Sequence, residues 1–351
     1  MTADVRPLIL VVAVPIHPDG RALLEAEARV VEGDDPTDAG VIHAAAEAEG
    51  ILVRHKPRVT ERLMAACPRL RVVGRYGAGL DTVDLEAATR LGIAVVHAPD
   101  ANAPAVAEHT LMLLLSCVKR TRRLDRLTRA GDWSPSRYAG ITELGGKTLG
   151  LIGVGNIGRR VARLAAKFGM RVLGYDPYLP ADEIRRRGAE PVESLGALLR
   201  ESDCVSCHAP LTPETRGLIN ARTLALMKAG AVFVNTSRGA IHDERALCEA
   251  LARGTLRAAG LDVWEEEPSS PDNPLFALDQ VVCTPHVAGV SEEADRAIAL
   301  QVAGDMLRVL RGERPGALAN AAVWARFVVE YPAPRGAGCG SPREQAGGGV
   351  P

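Results

Sequence analysis

The segment Thr148-Leu149-Gly150-Leu151-Ile152-Gly153-Val154-Gly155-Asn156-Ile157-Gly158 decides the fold: an apolar strand runs directly into glycines at G-x-G-x-x-G spacing, and the helical run Arg159 to Phe168 follows. Glycines there permit a tight turn and close backbone approach, so that the helix N-terminus faces a pyrophosphate. Asp176 ends the next strand, eighteen residues after Gly158, where a carboxylate accepts hydrogen bonds from ribose hydroxyls. Together these features place a dinucleotide site on Gly153, Gly155, Asn156, Ile157, Gly158 and Asp176. The charge of Asp176 would face an additional 2′-phosphate, and Pro177-Tyr178 supply no cation in its place, so the expected cofactor is NAD rather than NADP. Arg185-Arg186-Arg187, beginning nine residues later, read as a solvated helix face.

Around this segment, six strand candidates alternate with helices: Thr148 to Gly153, Arg171 to Asp176, Cys204 to His208, Ala231 to Thr236, Arg257 to Val263 and Gln280 to Thr284. That is the strand count of a doubly wound nucleotide fold. Upstream, strands at Leu8 to Val14, Ile51 to Arg54, Leu70 to Arg75 and Ile93 to His97 alternate with helices near 18–28, 60–66 and 84–91, which implies a second parallel sheet covered by helices. Pro99 and Pro104 flank Asp100-Ala101-Asn102-Ala103, and one long helix is expected from near Pro104 to about Ala130. A helix from about Ser291 to Arg311 then crosses back. The expected fold is therefore α/β, a Rossmann doubly wound parallel sheet at 99–287 inserted into a second, discontinuous, flavodoxin-like α/β domain at 1–98 and 288–331. Half of residues 332–351 are Gly or Pro, and this tail is expected to be disordered because it cannot bury enough surface to offset its ordering entropy.

The 351 residues, 47% hydrophobic and 24% charged, suffice for two cores. A net charge of -1 gives no electrostatic case for nucleic acid or an anionic membrane surface. Leu8 to Ile16 lacks the basic flank of a signal sequence and meets Pro15 and Pro18, and Leu111 to Leu115 falls far short of the roughly twenty residues of a membrane span. The seven scattered cysteines suit a reducing compartment, and a cytoplasmic location is expected. Cys204 and Cys207 lie on a strand, where positions three apart face opposite ways, so no metal site is expected. The basic run Lys119, Arg120, Arg122, Arg123, Arg126 and Arg129 reads as a solvated or subunit-contact helix face. The expected ligand is a small molecule.

Its chemistry is carried by three residues at successive strand ends: Arg238 in Asn235-Thr236-Ser237-Arg238-Gly239, Glu267 in Leu261-Asp262-Val263-Trp264-Glu265-Glu266-Glu267-Pro268, and His286 in Thr284-Pro285-His286. The C-terminal edge of such a sheet is where ligands bind. A guanidinium holds a carboxylate in bidentate fashion, an imidazole moves a hydroxyl proton, and a carboxylic acid orients the imidazole, which together make a hydride-transfer site. Asp262, within an apolar strand, is expected to be partly buried and committed to a specific donor, with a nicotinamide carboxamide as one candidate. After the strand Leu70 to Arg75, the backbone amides of Tyr76-Gly77-Ala78-Gly79 are placed to cup a carboxylate. Arg54 and Arg75, at ends of first-domain strands, suggest a second anionic group on the substrate.

With these residues assembled, the chain resembles the NAD-dependent D-isomer-specific 2-hydroxyacid dehydrogenases, and within them is most similar to the phosphoglycerate dehydrogenases. The likeness covers about residues 5–320 and also includes Val53-Arg54, Asn102 with Ala107-Glu108, Gly145 to Gly150, His208-Ala209-Pro210-Leu211-Thr212 and Asn320. It implies an active site between two domains and a homodimer joined largely through the Rossmann domains, acting on a 2-hydroxy or 2-oxo acid. The catalytic trio falls on Arg238, Glu267 and His286. NAD contacts fall on the glycine loop, Asp176, His208, Ala209, Pro210, Thr215, Thr236 and Asp262. Substrate contacts fall on Arg54, Arg75, Tyr76, Gly77, Ala78, Gly79 and Asn102, with Arg54 and Arg75 on the phosphate side. The chain departs from the usual Gly-Ala-Ser-Thr run at Val287-Ala288-Gly289-Val290-Ser291, which leaves the acid open. It ends soon after Asn320, so serine feedback through an appended domain is not expected. A hydroxypyruvate or glyoxylate reductase is the alternative enzyme, and formate dehydrogenases differ in pairing the histidine with glutamine. An NADH-sensing corepressor-like binding protein is the alternative from another class.

Overall fold

The computed structural model describes residues 6–12, 15–54 and 56–331; the last two residues of the expected first strand and the Gly/Pro-rich tail lie outside them. The chain divides into two compact units, Met1–Ala98 with Ala299–Pro351 and Pro99–Ile298.

In the first unit, β1 (Leu8–Val12), β2 (Arg29–Gly33), β3 (Gly50–Val53), β4 (Val72–Arg75) and β5 (Ala94–Val96) form a sheet in the order β2-β1-β3-β4-β5. Every pairing is parallel, in the flavodoxin-like order. Helices α1 (Pro18–Glu27), α2 (Asp38–Ala44), α3 (Glu61–Ala65) and α4 (Leu85–Arg90) start at His17, Thr37, Thr60 and Asp84, whose side chains each accept a first-turn N–H. The inner strands are buried throughout, which is why they read as apolar runs. β2 and α2 were not among the expected elements, because β2 is an edge strand with no fully buried residue and so carries no such run.

The second unit opens with α5 (Ala103–Lys119) and α6 (Thr121–Arg129). The single helix expected to Ala130 is broken at Arg120, whose φ of 58° is left-handed. Arg122 then donates to the carbonyls of Phe276, Leu278 and Val281 at 2.7–2.9 Å, and Arg123 to those of Ser136 and Ala139. The basic run is therefore not a plain solvated face; part of it ties α6 to neighbouring loops.

Strands β6 (Thr148–Ile152), β7 (Arg171–Tyr175), β8 (Glu190–Pro191), β9 (Cys204–Cys207), β10 (Ala231–Asn235), β11 (Leu256–Leu261) and β12 (Val281–Cys283) pair in the order β12-β11-β10-β9-β6-β7-β8, all parallel. The order in which successive strands are added reverses between β6 and β9, where doubly wound sheets bind ligands. β8, absent from the six expected strands, is two residues long and ends in a proline, which an edge tolerates. Helices α7 (Gly158–Lys167), α8 (Ala181–Arg186), α9 (Leu195–Glu201), α10 (Ala221–Leu224) and α11 (Glu244–Ala252) connect the strands. One face buries Ile152, Cys207 and Phe233, the other Leu151, Cys204 and Val234, so the two cysteines do face opposite ways.

The return passes through α12 (Glu292–Leu310), and α13 (Trp324–Glu330) follows. The division between units falls inside α12 rather than at 288. Two sets of contacts explain this. Val287 and Ala288 still donate their N–H groups to Asp262, whereas Ala299 packs against Gly20 and Met306 against Gly50. Asn320 then accepts from the Val95 N–H and donates to the Ile93 carbonyl, fastening the end of the chain to β5. Among the described residues, no helix is long and apolar enough to cross a membrane.

Candidate active site

At the sheet's reversal, Gly153 has φ +87°, and a Cβ there would lie 2.9 Å from the Ala209 nitrogen at the end of β9. A Cβ on Gly158 would overlap the Gly153 carbonyl oxygen, whereas one on Gly155 would meet nothing within 4 Å. Two glycines thus close the loop and the third leaves open space beside it. The loop is held from both sides at Val154, whose N–H donates to Asp176 Oδ2 at 3.0 Å and whose carbonyl accepts from Arg187 Nη1 at 2.8 Å. Arg187 therefore departs from the solvated face expected of its cluster, while Arg185 and Arg186 pair with Asp182 and Glu183 on the same helix.

Following β9, His208 places Nε2 3.0 Å from Ser206 Oγ, and its Nδ1 is buried without a partner. Burial pushes this imidazole down to about 3, so it is neutral. Thr215 donates to the Pro210 carbonyl at 2.6 Å and holds the turn around it. The open side of Gly155, the orphaned His208 nitrogen and the Asp176 carboxylate together fit a dinucleotide along this edge.

Arg238, Glu267 and His286, the trio expected to carry the chemistry, come together on three neighbouring loops of the second unit. His286 Nδ1 lies 2.6 Å from Glu267 Oε2, and Glu267 Oε1 accepts the Trp264 N–H at 3.1 Å. Burial works against ionisation of Glu267, but the His286 hydrogen bond and charge, the Trp264 amide and the charge of Arg238 outweigh it and hold the carboxyl below its usual range. The Arg238 loop sits close because Gly239 has no Cβ: one would overlap the Trp264 carbonyl. Trp264 also donates its Nε1–H to the Thr284 carbonyl at 3.1 Å, linking the glutamate loop to the histidine loop.

His286 has φ +55°, a left-handed conformation rare for a non-glycine residue. Its surroundings enforce it. The His286 N–H donates to the Asp262 carbonyl at 2.7 Å, and the Asp262 carboxylate accepts from Thr284 Oγ1 at 2.6 Å, Val287 N at 2.9 Å and Ala288 N at 2.8 Å. Asp262 is 0% exposed, so the specific donors anticipated for it are groups of this protein. Asn235 does the same for the arginine loop, accepting from Ser237 N and Oγ and donating to the Arg238 carbonyl at 2.9 Å. Asn102 Oδ1 is buried without a partner, and its Nδ2 would be 2.6 Å from a Cβ on Gly289, which puts it beside the loop that follows His286.

The first unit brings its own predicted residues together. Arg75, 8% exposed, donates to the Tyr76 carbonyl at 2.7 Å, the Arg54 guanidinium lies 5.6 Å from the Tyr76 ring centroid, and the Tyr76 hydroxyl accepts the His17 N–H. The Gly77 carbonyl accepts from Ala98 N and the Ala78 carbonyl meets His97 Nδ1, both at 2.9 Å. These two bonds tie the carbonyls of the loop to the residues that follow β5.

Asn235, Thr284, Arg187 and His97 carried no role in the sequence reading. A polar residue ending an apolar strand is the signal that marks the first two.

The family model for the D-isomer specific 2-hydroxyacid dehydrogenase, NAD binding domain, matches residues 111–288. The chain is 42% identical over 304 residues to D-3-phosphoglycerate dehydrogenase of Methanocaldococcus jannaschii, covering 87% of this chain but only 58% of that one. It thus spans little more than half the length of such relatives. It is 41% identical over 287 residues to glyoxylate reductase of Aeropyrum pernix, covering 80% of this chain and 85% of that one. Among solved structures, D-lactate dehydrogenase of Aquifex aeolicus complexed with NAD and lactic acid superposes with a TM-score of 0.79 at 30% identity, over 89% of this chain and 99% of that one. Sequence along both units and the shared architecture lead to one family, and the chain belongs to the D-isomer specific 2-hydroxyacid dehydrogenases.

Proposed function

We propose that this chain is an NAD-dependent 2-hydroxyacid dehydrogenase of the phosphoglycerate type. The observation that carries the chemistry is the 2.6 Å contact between His286 Nδ1 and Glu267 Oε2, on loops beside the one that carries Arg238. With Nδ1 held against Glu267, Nε2 is the nitrogen assigned to proton transfer. In oxidation, neutral His286 takes the substrate hydroxyl proton at Nε2, and Glu267 balances the charge and fixes the tautomer. Arg238 is assigned to the C1 carboxylate, and Tyr76, Gly77, Ala78 and Gly79 are assigned to the substrate. Asn102, with its unpartnered oxygen, is assigned to the substrate. Reduction reverses the proton path with the imidazolium as acid.

The residues assigned to NAD, which when bound takes or returns the hydride, are Gly153, Gly155, Asn156, Ile157, Gly158, Asp176, His208, Ala209, Pro210, Thr215 and Thr236; Asp262, expected among them, is committed to the loop after Thr284 instead. Asp176 favours NAD(H) over NADP(H) because a second anion there would be repelled. Arg54 and Arg75 support a phosphorylated substrate. The 41% identity to a glyoxylate reductase favours, as second reading, a small unphosphorylated 2-oxo acid. Steady-state NADH oxidation with phosphohydroxypyruvate, hydroxypyruvate and glyoxylate decides between them: the proposal expects the highest kcat/KM with the phosphorylated acid, and activity with none of the three would refute a dehydrogenase role.

A homodimer belongs to this reading. Leu111, Met112, Leu115, Leu164 and Phe168 line an apolar groove between α5 and α7, with Glu108 and Lys119 also lining it. Two copies of α5 paired about a two-fold axis would set each glutamate near the other copy's lysine. Light scattering should give twice the chain mass, and a monomer would remove the groove from this role.

A further inference from the structure

We infer that His109 and Thr110, adjacent residues of α5 with no part in the chemistry, form a clamp that fixes the spacing of the two catalytic loops, His109 acting as a positioning residue for His286. The inference rests on the proposed proton-transfer role of His286.

The packing of α5 makes this possible. A Cβ on Gly260 would lie 2.9 Å from Leu113 Cβ, so the absent side chain lets α5 come down onto β11. His109 is four residues before Leu113, on the same helix face. One turn along the helix and two residues along the strand cover similar distances, and His109 therefore reaches the strand's end at Asp262. There Nε2 lies 3.0 Å from Thr284 Oγ1 and 3.6 Å from Asp262 Oδ1.

Proton accounting fixes the direction of these bonds. Thr284 has one hydroxyl proton, donated to Asp262 Oδ1 at 2.6 Å, so His109 is the donor through an Nε2–H. The chain runs from His109 through Thr284 to Asp262, whose carboxylate holds the amides on the far side of His286. Burial lowers the pKa of His109 against the raising influence of Asp262, consistent with a neutral donor. Thr110 performs the matching task. Its hydroxyl proton goes to the Val106 carbonyl at 2.8 Å, so Thr236, 3.1 Å away, donates to it. Thr236 is two residues from Arg238. Consecutive positions on one helix thus grip the histidine loop and the arginine loop.

The test is a double-mutant cycle between His109→Leu and His286→Ala, with His109→Gln as the conservative variant because its Nε2 amide donates from nearly the same position. His109→Leu is expected to lower kcat about 10- to 100-fold while NADH affinity, read by fluorescence titration, stays within about 2-fold. His109→Gln should recover at least a third of wild-type kcat. In the His286→Ala background, His109→Leu should cost nothing further. Full activity in His109→Leu, failure of His109→Gln to rescue, or additive losses would each overturn the clamp. If His109→Leu does not fold, the cycle is read with His109→Asn, whose shorter side chain misses Thr284, against the same expectations. A His286→Ala enzyme with near wild-type turnover would instead overturn the proton-transfer reading itself.

Discussion

The Asp262 N–H donates to the Asn235 carbonyl at 3.0 Å, joining the ends of two neighbouring strands, and the side chains of these same two residues each hold one catalytic loop. The spacing between these two anchors is therefore set by the strand-to-strand distance of a parallel sheet, which is nearly invariant. Loops carry the reacting groups, but the sheet edge decides where they stand. Such support suits a reaction in which small displacements of the reacting groups reduce rate steeply.

Asp262→Ala tests that support. It leaves the Val287 and Ala288 amides and the Thr284 hydroxyl without their acceptor, and unsatisfied buried groups cost roughly 1–3 kcal/mol each. Partial relaxation and water entry reduce the sum, so unfolding in urea should show a loss of about 2–5 kcal/mol. His286 would keep its N–H bond to the backbone carbonyl at 262 but lose the side-chain bonds that also hold its left-handed backbone. A variant within about 0.5 kcal/mol of wild type would show that the carboxylate is not the anchor of this loop.

Cofactor choice follows from Asp176. The enzyme should prefer NAD(H) to NADP(H) by at least tenfold in kcat/KM, above roughly 1.4 kcal/mol. Asp176→Ala should narrow the preference and also weaken NAD(H), because Asp176 Oδ2 holds the Val154 amide of the glycine loop. Equal use of the two cofactors by wild type would sink the assignment.

The His286–Glu267 pair sets the pH dependence. His286→Ala should lower kcat about 100-fold or more while NADH affinity changes only a few-fold. In Glu267→Gln the imidazolium loses an anionic partner 2.6 Å away. The reduction profile should change on its acid side, where wild type loses the pair by protonating Glu267 and the variant has no carboxyl there to protonate. Because the Glu267 carboxyl is held below its usual range, wild type should retain the pair through mildly acidic pH, losing it only as pH falls through that depressed value. A superimposable profile for Glu267→Gln would take Glu267 out of the mechanism.

How much of this was legible in the sequence depended on whether a residue's partner lay nearby in the chain. The glycine loop and Asp176 are linked through one strand-helix-strand unit, and Arg238, Glu267 and His286 announce themselves as polar groups ending apolar strands. β2 and β8 escaped because edge strands lack the continuous apolar run of buried ones. The break at Arg120 escaped because its cause is long-range: Arg122 reaches carbonyls more than 150 residues away. Arg187 looked like one of three equivalent surface cations until the fold brought it to Val154. For Asp262 the burial was foreseeable, but not that its donors are the Thr284 hydroxyl before His286 and two backbone amides after it.

The substrate is tested at Arg54. If Arg54 and Arg75 bind a terminal anion, Arg54→Ala should raise KM for phosphohydroxypyruvate far more than for hydroxypyruvate, since only the former carries the phosphate. A charge-assisted hydrogen bond contributes roughly 1.5–3 kcal/mol, so the ratio of the two kcat/KM values should fall about ten- to a hundredfold. The structure supplies a competing outcome. Arg54 also lies over the Tyr76 ring, and if its role were to steady that ring and the Gly77–Gly79 loop beside it, both substrates would suffer alike through their common carboxylate. Arg238→Ala gives the reference for such a shared loss. An unchanged ratio in Arg54→Ala, or a wild-type enzyme indifferent to phosphohydroxypyruvate, would transfer the assignment to a small unphosphorylated 2-hydroxy acid.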